Sequence, residues 1–363
     1  MATRTIKVFG LALVVLLASA TAARACGGLV APNGTIALTR TTTLAGYRNG
    51  IEHYVTGFEF AGQADEVGSI VPLPGRPARV IRGGDWTLQR LAQEVAPRVE
   101  ESLDGAVLSA APRSAKVILR TTIDALDVVI LEGGGDAVGR WAKDHGFLLP
   151  PDAPEVLDFY ASRSPYFMAA RFDGQKANEL GQGVGDSTPV HLVIPTERPW
   201  VPLRILGLGQ DAAAVVEANV FLLTDDEPRM LPVPLAPGLE DRRAPGMVLA
   251  RSEPASELLI SDLRSDEHMK WVDGKGMWLS YLKIDERAGE LHHDLAINPT
   301  GEGEPSPVDA GLVQAGARVS TQPNGGPVGW LIAAALAALV AITVTGLGLG
   351  RSHRRGKGPG LPA

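Results

Sequence analysis

The sequence predicts an α+β fold: a strand-rich exterior domain with a few short helices, followed by one C-terminal transmembrane helix. Three observations support this prediction. Short alternating or continuous apolar segments, typical of strands, are separated by turns rich in Gly and Pro. Helix-capping patterns lie singly between them. A charge-free stretch at residues 328–350 is long enough to cross a bilayer.

The N-terminus is typical of a secretory signal peptide, which predicts export of the chain. Two basic residues precede an apolar run at residues 8–20, which is too short to cross a bilayer comfortably. Ala23 and Ala25 then supply small side chains at the −3 and −1 positions of a signal-peptidase site. Residues 1–25 are therefore predicted to be removed by cleavage between Ala25 and Cys26.

Cys26 is the only cysteine of the chain, so no internal disulfide can form. A cysteine at a mature N-terminus could also carry a lipid, as in bacterial lipoproteins. Arg24 disfavours this alternative, because a lipoprotein signal has a small or apolar residue at that position. We expect ordinary cleavage, with lipidation of Cys26 left open.

The strand-rich region begins directly after the signal. Tyr54, Thr56 and Phe58 share one face of the strand predicted at residues 51–60, after a turn at residues 46–50. Asp85 is predicted to cap the first helix. Strands are predicted at residues 36–39, 51–60, 67–73, 115–120, 126–131, 166–172, 189–194, 201–206 and 215–223, and helices at residues 86–95, 137–145 and 155–162.

The composition shifts along the chain and predicts its organisation. Proline-rich and irregular sequence separates two apolar regions, and a segment rich in Gly and Pro precedes the charge-free stretch. We predict a signal peptide (1–25), a main α+β exterior domain (26–225), a proline-rich connection (226–256), a smaller strand-rich exterior region (257–298), a stalk (299–327), a transmembrane helix (328–350) and a basic cytoplasmic tail (351–363).

The charge-free stretch and its flanks predict the membrane topology. As a helix, residues 328–350 would extend about 34 Å, enough for the hydrocarbon core. Four basic residues follow within residues 351–363, which places the C-terminus in the cytoplasm. The prediction is a single-pass type I protein of the cell membrane with most of the chain extracytoplasmic. Later removal of the span by a sorting peptidase stays open, although no LPxTG sequence is present.

The charge of the predicted exterior portion argues against nucleic acid as a partner. With seven basic residues assigned to the signal and tail, this portion carries 41 acidic and 27 basic side chains, a net charge of −14. Such a charge repels phosphate backbones. The expected partners are the membrane, through the C-terminal helix, and an envelope protein or polymer. No cofactor is expected.

One histidine cluster offers a weak candidate metal site. His292, His293 and Asp294 are adjacent, with Glu290 nearby. Neighbouring residues on a strand point to opposite faces, so both imidazoles could reach one metal only across a turn. The favoured interpretation is polar surface, with no metal.

Catalytic residues cannot be assigned from the sequence. There is no GxSxG motif, and Ser187 has no recognisable base partner. A pair of catalytic carboxylates cannot be located among the 41 acidic residues. The absence of a catalytic pattern favours a chain that is not an enzyme, and the question stays open.

Several characteristic segments follow one another in a fixed order along the chain, at residues 26–28, 71–74, 129–131, 141, 145–150, 160, 166–170 and 202–205. In this order they resemble the bacterial domain-of-unknown-function family 2330. At residues 66–70 the sequence departs from the usual family pattern. The resemblance implies an exported protein, often with a C-terminal span, and transfers no catalytic residue because the family has no assigned activity.

Two functional hypotheses follow from these observations. The first is a membrane-anchored extracytoplasmic envelope protein whose domain binds or scaffolds a partner without catalysis. The alternative is a secreted, membrane-tethered hydrolase with an unrecognised active site. A metal-dependent sensor is a third possibility. Polar groups converging in a cleft of the folded domain would favour the hydrolase.

Overall fold

The computed structural model describes residues 29–30, 37–61, 66–96, 116–173, 176, 179, 189–236 and 246–313. The chain divides into one unit at residues 1–315 and a second at residues 316–363. The predicted signal peptide, Ala25, Cys26, Ser187 and the predicted transmembrane helix lie outside the described residues. Among the described helices, none is long and apolar enough to cross a membrane.

Strands dominate the described part of the first unit. They are β1 Leu29–Val30, β2 Ala37–Arg48, β3 Ile51–Ala61, β4 Glu66–Leu73, β5 Arg79–Arg82, β6 Lys116–Ile123, β7 Leu126–Glu132, β8 Tyr166–Asp173, β9 Val190–Pro195, β10 Trp200–Val201, β11 Val215–Thr224, β12 Arg229–Leu231, β13 Gly246–Pro254, β14 Trp278–Arg287 and β15 Leu295–Asn298.

Four short α-helices and one 3₁₀ helix lie between these strands in the described ranges. They are α1 Thr87–Val95, α2 Gly135–Asp144, α3 Ala153–Ala161, α4 Glu257–Ser265 and the 3₁₀ helix Arg204–Gly207. The predicted mixed, strand-rich fold with a few short helices is confirmed.

The described strands form three sheets. The largest has seven strands in the order β13-β14-β11-β2-β3-β9-β5, and a five-stranded sheet has the order β1-β4-β8-β7-β6. A small third sheet has the order β10-β15-β12. Within these sheets the pairs are antiparallel, except that β2 runs parallel to β11.

The β2–β3 hairpin forms the centre of the largest sheet. Its strands pair from Arg48 and Ile51 outward, across a turn in which Asn49 and Gly50 have φ angles of 52° and 76°. Positive φ at both central positions suits the twist of a two-residue hairpin, and Asn and Gly adopt it at low cost. The strand β2 therefore continues to residue 48, through part of the predicted turn.

The two large sheets pack face to face with helices on both outer sides. One core cluster joins β3, β4, β7, β8 and β9 with α2 and α3, whereas a second joins the other face of the largest sheet with α1 and α4. Phe147, which follows α2, lies against Gly68 of β4, where a Cβ would overlap its ring. The layer order is therefore α2 and α3, five-stranded sheet, seven-stranded sheet, α1 and α4.

The structure joins regions that the sequence analysis separates. β14 lies inside the seven-stranded sheet and pairs with β11 from Val215–Arg287 to Thr224–Trp278, so residues 257–298 share a sheet with residues before 225. The connection at residues 226–256 contains β12 and β13, which pair within sheets. Part of the predicted stalk also packs on the domain, since Ala310 is fully buried. The rest of that stalk, after residue 313, lies outside the described residues.

Candidate functional site

Asp294, one of the candidate metal ligands, lies in the interior just before β15. Its side chain is fully buried, and its Oδ1 accepts hydrogen bonds from the Tyr160 hydroxyl at 2.7 Å and the Leu203 amide at 2.7 Å. The Arg204 amide donates to the same oxygen at 3.0 Å, and Oδ2 pairs with Arg163. Each carboxylate oxygen therefore has a partner, and Asp294 ties α3 to the 3₁₀ helix.

Arg163 completes this buried network, whose members are nearly inaccessible to solvent. Only 2% of its side chain is exposed, and its Nη1 donates to the Asp309 carbonyl at 2.6 Å. Its guanidinium carbon lies 4.2 Å from the centre of the Phe159 ring and 4.9 Å from that of Trp200. A buried charge needs such partners, so the arrangement is that of a structural ion pair.

The two neighbouring histidines diverge from Asp294. His292 is exposed, whereas the His293 Nε2 lies 3.4 Å from the Glu286 Oε2. Burial lowers the pKa of His293, but the hydrogen bond and charge of Glu286 outweigh it, so the pKa is raised. The structure thus does not bring His292, His293 and Asp294 together. Within the described ranges, no group of three or more His, Cys, Asp or Glu side chains is placed to hold a metal ion.

A second cluster, unmarked by any sequence motif, lies on the outer face of the seven-stranded sheet. His53 on β3 and His191 on β9 are 9% and 1% exposed, and the His53 Nδ1 lies 3.0 Å from the His191 Nε2. The Trp271 ring stacks on His53 with 4.1 Å between ring centres and 4° between planes. Gly46, opposite His53 on β2, leaves room for this ring, because a Cβ there would overlap it.

The environment of this histidine pair keeps both rings neutral. Burial, followed by the positive charge of Arg79, lowers the pKa of His53 to about 4. Burial lowers the pKa of His191 to about 3, with contributions from His53, His268 and Arg79. The pair therefore resists protonation at neutral pH.

Glu52 is the neighbour of His53 on β3 but points to the opposite face, toward the core between the two sheets. It is fully buried, and neither carboxylate oxygen has a hydrogen-bond partner in the described part of the chain. Burial raises the pKa of Glu52 well above its ordinary value of 4.5. Because adjacent strand residues face opposite sides, Glu52 and the histidine pair do not form one site.

The groove beside α4, here called the α4 groove, is an open candidate binding surface. It has a volume of about 720 Å³. One wall is a helical stripe of α4, the opposite wall is residues 274–278, and Pro254 and Ala255 lie at its end. The lining residues are Asp225, Pro254, Ala255, Glu257, Ile260, Ser261, Arg264, Gly274, Lys275, Gly276, Met277 and Trp278.

The α4 groove combines a buried apolar floor with a charged rim. Ile260 and Met277 are each 4% exposed, whereas Glu257 and Lys275 are exposed at the edge. Polar and apolar groups share the exposed lining of the groove about equally.

Sequence reasoning found Asp294 but not its environment, and it missed the histidine pair, Glu52 and the groove. The contact between His53 and His191 spans 138 positions. Single histidines in separate strands carry no spacing signal, so only the pairing of β3 with β9 reveals them. The burial of Glu52 does have a signal in the sequence. Residues two positions apart on a strand share a face, so Glu52 lies on the same core face as Tyr54.

Comparison with solved structures finds distant similarity to baculovirus P35. The crystal structure of baculovirus P35 has 10% sequence identity and a TM-score of 0.36, covering 74% of this chain and 97% of that one. A mutated baculovirus P35 after caspase cleavage has 8% identity and a TM-score of 0.35, covering 72% and 100%. TM-scores this low do not establish a common fold.

Comparison by sequence gives a family but no characterised relative. No curated protein matches this sequence. Residues 20–229, more than half of the chain, match a family described as an uncharacterized protein conserved in bacteria, DUF2330. This match agrees with the resemblance carried by the segments from residue 26 to residue 205. The chain therefore belongs to the bacterial DUF2330 family.

Proposed function

We propose that this chain is an exported, membrane-anchored envelope protein whose domain binds or scaffolds an envelope component without catalysis. The observation that carries the proposal is the α4 groove, an open surface with an apolar floor and a charged rim. The occupant is an envelope protein or polymer that lies along α4 and contacts Trp278 and Lys275.

The hydrogen bonds of four described histidines lead to no nucleophile, which favours binding over hydrolysis. His53 and His191 bond to each other, the His145 Nδ1 lies 2.6 Å from the Trp141 carbonyl oxygen, and the His268 Nδ1 lies 3.1 Å from the Arg82 carbonyl. A histidine that activates a nucleophile lies within hydrogen-bond reach of a hydroxyl or thiol, and among the described residues these four histidines have no such partner. The hydrolase alternative is therefore less well supported than the binding role.

Membrane anchoring in this proposal rests on the ends of the sequence. Residues 1–25 have the pattern of a cleaved signal, and residues 328–350 have the length and composition of a transmembrane helix. The basic residues after position 350 support a cytoplasmic C-terminus. The domain would then face the envelope space, where its net negative charge favours solubility.

Blocking the α4 groove tests the binding role. The double variant Ser261→Arg with Lys275→Glu fills and recharges the groove without touching its buried floor. The matched control, Ser265→Arg with Lys270→Glu, makes the same changes at exposed positions outside the groove. The measurement is co-sedimentation of the detergent-solubilised full-length chain with isolated cell-wall polymer, and chemical crosslinking to envelope proteins in intact cells.

We expect the groove variant to lose at least about tenfold in affinity, the equivalent of about 1.4 kcal/mol, with the control unchanged. Equal binding by both variants would reject the groove as the contact surface. Absence of any binding by the unmodified chain in both assays would reject the binding role itself.

Cell fractionation tests the anchoring separately. We expect the full-length chain in the membrane fraction and its domain cleaved by protease added outside spheroplasts. Deletion of residues 328–350 should move the protein to the soluble extracytoplasmic fraction. A deletion variant that stays in the membrane, or a domain protected from external protease, would contradict the proposed topology.

A further inference from the structure

The buried pair His53 and His191 lies against Trp271, three residues before the segment that forms one wall of the α4 groove. We propose that this pair is a proton-sensitive latch that holds residues 268–277 closed at neutral pH and releases them in acid. Its regulatory consequence, loss of the groove wall, rests on the proposed binding function. The latch itself does not depend on that function.

The mechanical connection runs through Trp271. Its ring stacks on His53, and its carbonyl accepts a hydrogen bond from the Arg48 Nη1 at 3.3 Å. Arg48 also pairs with Asp273 through Nη2 at 2.5 Å. The chain then continues without a break into residues 274–278 of the groove wall. Release of residues 268–277 therefore includes residues 274–277, most of that wall.

Among the described residues, the charges that act on the pKa values of the pair are positive, and the buried Asp266 carboxylate is already bonded to Asp85, Trp86 and Thr87. Arg79 of β5 and His268 of the segment after α4 raise the cost of a positive charge, and the rings of both histidines are buried. Arg48 of β2 lies beyond Trp271, where its charge is paired with Asp225 and Asp273. The facing core residues of α1 and α4 are apolar: Leu91, Leu259, Ile260 and Leu263.

Acid therefore favours a state in which the pair is exposed. In the closed state both histidines stay neutral, whereas in an opened state each recovers an ordinary pKa near 6.5 and binds a proton below that pH. Each proton taken up on opening shifts the ratio of closed to open molecules by about tenfold per pH unit. Two histidines acting together shift it by up to about 100-fold per unit between about pH 6 and pH 4.5.

Hydrogen–deuterium exchange of the full-length chain at pH 7 and pH 5, corrected for intrinsic rates, tests the latch. We expect residues 268–277 to lose protection at least about tenfold at pH 5. The helix α3 serves as an internal reference and should keep its protection. Unchanged protection of residues 268–277 at pH 5, or an equal loss in α3, would overturn the proposal.

Variants separate the pair from other titrating groups. The double variant His53→Gln with His191→Gln cannot take up these protons and should show the same exchange in residues 268–277 at both pH values. His292→Gln, at an exposed position, should retain the full response of the unmodified chain. A double variant that still loses protection in acid would overturn the latch.

A titration of the unmodified chain tests the latch independently of any effect of the substitutions on folding. Histidine carbon chemical shifts should show His53 and His191 neutral in the closed state, with protonation appearing only together with exchange in residues 268–277. Protonation of either histidine near pH 6.5 without opening would overturn the proposal. Failure of the groove to bind a partner would leave all three readouts unaffected.

Discussion

Glu52 is a buried acid whose charge state couples to the stability of the fold. It sits between the two large sheets with no exposed surface, and neither carboxylate oxygen has a partner among the described residues. An ionised carboxylate there would be very costly, so the native state retains the proton above the ordinary pKa. The unfolded chain loses that proton near pH 4.5, so stability falls as the pH rises above that value.

Replacing the acid by its neutral isostere tests this coupling. Between about pH 5 and pH 8, the free energy of unfolding of Glu52→Gln should rise relative to the unmodified chain by up to about 1.4 kcal/mol per pH unit. Denaturant unfolding at several pH values measures the difference. Glu304→Gln, at an exposed position, is the control. Its free energy of unfolding should change with pH in the same way as that of the unmodified chain. If the free energy of unfolding of Glu52→Gln changed with pH in the same way as that of the unmodified chain, Glu52 would not be a buried neutral acid.

At the level of single residues, the sequence shows which side chains could react or bind, but not their partners or their depth of burial. Asp294 was noted beside two histidines, yet its partners Tyr160 and Arg163 lie 134 and 131 positions away. Four tryptophans lie among apolar residues in the sequence, yet Trp141 is 3% exposed whereas Trp86, Trp271 and Trp278 are half-buried. Local apolar spacing predicts which side a residue faces, but the depth of burial depends on layers added from elsewhere in the chain.

At the level of elements, the start of α1 shows how a distant residue replaces a local signal. Asp85 was the predicted cap, but Trp86 occupies the cap position and the helix starts at Thr87. The carboxylate of Asp266, which follows α4, accepts from the amides of Asp85 and Trp86 at 3.1 and 3.2 Å and from the Thr87 hydroxyl at 2.6 Å. The cap of α1 therefore also fixes it to α4.

The two aspartates allow a matched test of this cap. Asp266→Ala should lower the free energy of unfolding by about 1–3 kcal/mol, because it removes a buried acceptor and leaves donors at the helix start unpaired. Asp85→Ala should cost less than about 1 kcal/mol, since its side chain pairs only with Arg82 at the surface. Denaturant unfolding of both variants measures the difference. Equal losses, or a larger loss for Asp85→Ala, would contradict the assignment of the cap.

Elements with strong local patterns were predicted well, and elements defined by distant partners were not. The apolar run at residues 126–131 is β7, and the segment at residues 215–223 is β11. The strand β13 was missed because its proline-rich surroundings are typical of loops, although β14 supplies its hydrogen bonds. Residues 201–206 were predicted as a strand, but the amides of Leu203 and Arg204 bond to Asp294 and turn the chain into the 3₁₀ helix.

At the level of the whole molecule, the C-terminal end of the described domain is part of its core. The Asp294 amide donates to the Ala310 carbonyl at 2.9 Å, and Ala310 is fully buried. Arg163 donates to the Asp309 carbonyl at 2.6 Å. The composition of residues 299–327 predicts a stalk. These contacts place the end of the folded domain later, at or after residue 313.

Two truncations separate these alternatives. A fragment of residues 26–313 retains the partners of Arg163 and Asp294, whereas a fragment of residues 26–303 loses the Asp309 and Ala310 carbonyls and exposes the buried ion pair. We expect the shorter fragment to be less stable by about 2–6 kcal/mol, since each lost partner leaves a buried donor unpaired.

Denaturant unfolding gives the stability, and size-exclusion chromatography shows whether the shorter fragment associates through its exposed surface. Equal stability of two monomeric fragments would mean that residues 304–313 are part of the tether, as the composition suggested. Restoring residues 304–313 should be sufficient for recovery, because the contacts that close the Arg163 network end at residue 310.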